Sequence, residues 1–130
     1  MTRTTPAPDL NHRVDRAIET IQLIGDRWSV PVIHYLIDNG IMRFGELERA
    51  VGNISPGVLT KTLRTLERNG IVERKVYPVI PPRVEYSVTP LGESLKQPMK
   101  ALCNWSEKHY DRVNAARDSY DSKQSQSTSM

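Results

Sequence analysis

Between Ser55 and Arg68, side chains that donate hydrogen bonds recur at helical spacing. Gly57, Lys61, Arg64 and Arg68 fall in one row, with Ser55 and Thr60 beside it. Such a face can donate to phosphate oxygens and to base edges. Cations continue beyond it as Arg74, Lys75 and Arg83. From Ser55 to Arg83, six basic residues stand against Glu67 and Glu73, a net +4, whereas all 130 residues together carry +3. Positive charge gathered on one segment is the electrostatic footprint of a polyanion binder. Scattered lysines and arginines more often make only a solvated face, so the elements that carry them decide the matter.

Those elements have clear punctuation. Ser55 can cap a helix, and Pro56 suits its first position, where a missing N–H costs nothing. Leu59, Leu63 and Leu66 form an inward stripe, and Asn69-Gly70 suits a left-handed helix end. After Gly70 the pattern alternates through Ile71, Val72, Val76 and Tyr77, then through Val84, Tyr86 and Val88. Pro78, Pro81 and Pro82 cannot donate to a strand ladder, so they force a turn and leave Arg83 near its tip. A helix followed at once by a basic hairpin predicts a recognition helix and its wing.

Upstream, Val14, Ala17, Ile18, Ile21 and Ile24 trace an amphipathic first helix ending near Gly25. A second helix opens at Trp28, with Pro31 in its first turn and Val32, Ile33, Leu36 and Ile37 apolar; His34 among them reads as a core or interface histidine. Met42-Arg43-Phe44 is expected to pair with the wing as a third strand, and Gly45 to Val51 to form the helix before the tight turn Gly52-Asn53-Ile54. Thr89-Pro90 should start a last helix with one stripe, Leu95, Met99, Leu102, Trp105 and His109, kinked or split by Pro98. With Val14, Ile18 and Ile21 this stripe exceeds what a small monomer can cover, so the outer helices are assigned to a two-fold dimer. The alternative is a last helix folded back on its own domain.

One domain is expected over residues 10–120, flanked by dimerisation helices at 10–25 and 90–120, with disordered tails at 1–9 and 121–130. The fold class is mainly α with a small β-hairpin wing. No apolar run reaches membrane-span length and no signal segment is evident, so a cytoplasmic location without membrane contact is expected. No phosphate loop, nucleophile elbow or metal-ligand spacing marks an enzyme, a cofactor or a metal site. Cys103, the single cysteine, reads as a small packing residue, with Lys100 and Lys108 keeping a redox role open.

The string of residues resembles a known family. Trp28, Arg43-Phe44-Gly45-Glu46-Leu47, Ile54-Ser55-Pro56, Leu59 through Arg64, Leu66-Glu67, Gly70-Ile71-Val72, Tyr77 and Pro81 through Gly92 look like the HxlR family of winged helix-turn-helix transcription regulators, over roughly Ile18 to Leu95. The resemblance implies a small bacterial DNA-binding homodimer, joined through its N- and C-terminal helices, that represses or activates nearby genes. Several members sense oxidants through a cysteine near the start of the first helix, and around Val14 and Asp15 this chain has none. Gly57 replaces a longer side chain often found there.

The function expected is a repressor that binds an inverted-repeat operator in double-stranded DNA. Ser55, Gly57, Thr60, Lys61 and Arg64 would face bases and nearby phosphates, Arg83 the minor groove or its phosphates, and Arg43 and Lys75 the flanking backbone. Two alternatives stand beside it: a winged helix used for protein binding, and a regulator gated by redox state or by a small-molecule effector of unknown identity. Trp28, Trp105 and Tyr110 could wall an effector pocket if they converged.

Overall fold

The structure, a computed structural model, describes residues 10–128. It forms two compact units, divided between Ser94 and Leu95. The first contains α1 (Leu10–Ile24), α2 (Ser29–Asn39), α3 (Phe44–Val51), α4 (Pro56–Arg68), β1 (Val72–Tyr77), β2 (Arg83–Val88) and the short α5 (Pro90–Glu93). The second is a single helix, α6 (Lys96–Thr128). The chain is thus mainly helical, with one antiparallel two-stranded hairpin.

The core of the first unit comes from the stripes expected of it. Val32, Ile33 and Leu36 of α2, Leu47 of α3, and Leu59, Leu63 and Leu66 of α4 are buried together with Ile54, Ile71 and Val72. Burying each aliphatic side chain contributes about 1.5–3 kcal/mol. This holds α4 with one face inward and the other in solvent. Helix α2 starts with help that the sequence reading missed. The Asp26 carboxylate accepts from the Trp28 and Ser29 backbone N–H groups, at 3.1 and 3.3 Å, and from the Ser29 hydroxyl. His34 is not a core residue: it is exposed, with Nε2 3.3 Å from Asp38 Oδ2.

Three further boundaries differ from expectation, each for a local reason. The third strand is a single bridge, Met42 opposite Tyr86, with N–H donation in both directions at 3.0 and 2.8 Å. It cannot lengthen, because the next residue whose N–H would face β2 is Phe44, where α3 begins; the Arg43 N–H, which points away from β2, donates to Glu46 Oε1 at 2.9 Å. The last helix breaks at Ser94–Leu95 rather than at Pro98 itself. Pro98 lies in the first turn of α6, where its absent N–H and its clash with the carbonyl four residues back are harmless only if the helix starts afresh. The disordered tail expected from Asp121 is helical as far as Thr128. No glycine or proline follows Pro98, so no residue there breaks a helix. The tail expected at residues 1–9 lies outside the described residues, as do residues 129–130.

The wing is anchored at its base. Gly70, at φ +77°, ends α4, with Ile71 N–H donating to Leu66 O at 2.9 Å. The Thr89 hydroxyl lies within 2.5 Å of Gly70 O and 3.2 Å of Ile71 O, to which it donates, and it accepts from Gly92 N–H at 3.1 Å. Gly92 therefore lies hard against the start of β1. A Cβ there would overlap the Ile71 carbonyl oxygen and press on Val88 at 3.2 Å. Gly92→Ala is expected to destabilise the first unit by about 1–3 kcal/mol, as overpacking does. A thermal melt should show this as a fall of several degrees, and an unchanged midpoint would contradict the close approach.

Candidate nucleic-acid interface

Helix α4 is positioned from both ends. Ser55 Oγ accepts from Val58 N–H at 3.2 Å and Pro56 takes the first position, as the residue types require. With Leu59, Thr62, Leu63 and Leu66 inward, Ser55, Gly57, Lys61, Arg64 and Arg68 are exposed. No atom lies within 4 Å of where a Gly57 Cβ would be, so the first turn of the helix is open to a close approach. Thr60 is half-buried and its hydroxyl donates to Pro56 O at 2.8 Å, which leaves it lone pairs with which to accept.

The hairpin presents two unlike faces. Its register pairs Val72 with Val88, Arg74 with Tyr86, Val76 with Val84 and Tyr77 with Arg83. Alternation places Arg74 and Tyr86 on the side of buried Val72, and Lys75, Tyr77, Arg83 and Glu85 on the other. On that outer side, Arg83 Cζ lies 4.3 Å and Lys75 Nζ 5.2 Å from the centre of the Tyr77 ring. Arg83 Nε has no hydrogen bond and makes its ion pair with Glu85 at 3.5 Å. Arg83 thus stands at the first position of β2, folded over an aromatic ring, while the turn itself carries the fully exposed Ile80. Arg43, the residue before α3, is exposed.

On the inner side, α4 and the hairpin enclose a hollow of about 180 Å³ lined by Thr60, Leu63, Arg64, Glu67, Arg74 and Tyr86. Arg74 Nε lies 3.6 Å from Glu67 Oε1. Burial pushes the Tyr86 phenol above its usual 10.0, against the pull of Arg74 and Arg64 and with the help of Glu67. Glu67, Arg74 and Tyr86 were not singled out from the sequence. Two signals pointed there: Thr60, Arg64 and Glu67 are spaced to share one helix face, and Arg74 shares strand parity with Val72.

The residues assigned to a dimer are placed as follows. Val14, Ile18 and Ile21 of α1 are exposed, and no residue of that helix is buried. On α6, Leu102 and Trp105 are exposed, Leu95 and His109 are half-buried, and the Trp105 and His109 rings lie 4.8 Å apart. Met99 is buried. Cys103 is exposed, contrary to the packing role expected of it. Tyr110 is exposed as well. Among the described residues, no helix is long and apolar enough to cross a membrane.

Known proteins share this arrangement. The family model described as HxlR-like helix-turn-helix matches residues 23–114. The HTH-type transcriptional regulator YkvN of Bacillus subtilis (strain 168) is 48% identical over 86 residues, covering 66% of this chain and 72% of that protein. The HTH-type regulator YtfH of Escherichia coli (strain K12) is 40% identical over 100 residues, covering 77% and 79%. Among solved structures, the redox regulator HypR in its reduced form superposes with a TM-score of 0.71 at 36% identity, over 77% of this chain and 98% of that one. This chain, with its capped α4 and attached hairpin, therefore belongs to the HxlR-like helix-turn-helix family of transcriptional regulators, not to a family of enzymes.

Proposed function

We propose that this protein is a sequence-specific repressor that binds an inverted-repeat operator in double-stranded DNA as a homodimer. The observation that carries the reading is the exposed row Gly57, Lys61, Arg64 and Arg68 on a helix whose opposite face is locked into the core. Two such helices in one two-fold dimer enter successive major grooves about 34–36 Å apart, so the half-sites repeat at one helical turn. Lys61 and Thr60 read base edges, Lys61 by donating and Thr60 by accepting. Ser55 and Arg64 hold nearby phosphates, Gly57 admits the helix deeply, and Arg43, Lys75 and Arg83 flank them. The exposed apolar rows of α1 and α6 supply the dimer contact.

The test is a band shift on the DNA between this gene and its neighbours, set against a scrambled duplex of equal length. Binding confined to a fragment with an inverted repeat supports the reading, and equal binding to both defeats it. Lys61→Ala should cost about 1–3 kcal/mol on the operator and far less on scrambled DNA, because base contacts carry discrimination and phosphate contacts do not. Equal losses on both would remove Lys61 from base reading.

A second reading, redox gating, has one observation in its favour. Cys103 is exposed on a helix that also bears Lys100 and Lys108, and HypR, which this chain resembles, is a redox regulator. Treating the folded protein with a thiol oxidant and repeating the band shift tests it. Unchanged operator binding by wild type and by Cys103→Ser ends that reading.

A further inference from the structure

The hollow between α4 and the hairpin has a composition that packing alone does not call for. Two guanidiniums, from Arg64 and Arg74, share its wall with the Thr60 hydroxyl and the Tyr86 phenol. The one carboxylate present, Glu67, is engaged with Arg74 and draws that side chain toward α4. The lining therefore keeps one positive charge in excess. At neutral pH the phenol is a protonated donor, since burial holds its pKa above 10.0. A volume of about 180 Å³ exceeds several times the roughly 30 Å³ share of a water molecule. Donors from a helix and from both hairpin strands thus converge on a space of oxyanion size, beside the face that reads DNA.

We propose that this hollow is a phosphate seat in which Arg64 of the recognition helix and Arg74 of the wing grip one oxyanion between them. The proposal rests on the DNA reading above and extends it from the helix row to Arg74 and Tyr86 of the hairpin. A backbone phosphodiester seated there ties helix and hairpin to the same strand and fixes the depth at which α4 enters the groove. Forked guanidinium donors suit such a group better than an ammonium does. The contact carries no sequence information, so it adds affinity to every duplex alike.

The experiment measures binding of wild type, Arg74→Gln and Arg64→Gln to operator and to scrambled duplex across a salt series. Arg74 is a half-exposed strand residue, so its variant should keep the fold, and a melt confirms this. Each variant is expected to lose about tenfold on both duplexes, the size of one charge-assisted hydrogen bond. The slope of log affinity against log salt should become shallower by about 0.9 per bound subunit. In a second arm, inorganic phosphate is titrated into the DNA-free protein and followed by melting temperature. If wild type but not Arg74→Gln responds to phosphate while the DNA slopes stay equal, the seat stands and its oxyanion is a small free ligand. Equal slopes together with no Arg74-dependent phosphate response overturn the seat. If wild type itself binds no DNA with salt dependence, it is the DNA reading that fails, and the phosphate titration still decides the seat.

Discussion

Raising the salt concentration from about 50 to about 200 mM is expected to weaken operator binding by roughly three orders of magnitude or more. The size follows from the count of cations in reach of phosphates. Each subunit offers Arg43, Arg64, Arg74, Lys75 and Arg83 around α4, and three to five of these engaged per subunit give a dimer about six to ten contacts. Each contact releases condensed counterions and contributes about −0.9 to the slope. The folded arrangement of the wing sets the lower end of that range. Arg83 is already stacked on Tyr77 and paired with Glu85, so it gains less from a phosphate than a cation in open solvent does. Fluorescence anisotropy across a salt series gives the slope directly, and a flat response would defeat the electrostatic reading of this face. Arg83→Ala should then change the slope less than Arg74→Gln, although Arg83 lies next to the exposed turn.

That ranking of arginines marks where sequence was legible and where it was not. Ser55-Pro56, Asn69-Gly70 and Thr89-Pro90 are local signals, each satisfied within a few residues, and α4, its end and the start of α5 lie where those signals put them. The hairpin was legible for the same reason, since prolines confined the turn to Pro78–Pro82. What escaped depended on competition or on contact across the chain. Phe44 is the next residue that could bond to β2, and only the structure shows that it opens α3 instead, with Arg43 N–H held by Glu46. Asp26 carries no signal in the pattern around it, and its carboxylate accepts from the first N–H groups of α2. Arg74 counted as one charge among six, whereas its place opposite Glu67 follows from docking β1 on α4, which no periodicity within either element states.

The long helix α6 shows the same division, and its stripe supports the second large effect. Leu102→Glu is expected to convert the proposed dimer to monomers and to lower operator affinity by about 10²–10⁴, because half-sites then lose the effective concentration that linkage supplies. Within one chain Leu102 is 58% exposed, so the substitution leaves the fold of a single subunit undisturbed. In a dimer seam the same carboxylate would be buried without a partner, at a cost of several kcal/mol. Trp105, three residues on, is 56% exposed and extends the same apolar surface, the kind of contiguous patch that marks a contact site. Asn104→Glu places the same charge on the opposite side of α6 and serves as the control. Sedimentation of both variants at micromolar concentration, followed by band shifts on the operator, separates the cases. A Leu102→Glu protein that remains dimeric would move the seam off α6 and leave the exposed Val14, Ile18 and Ile21 of α1 to form it alone.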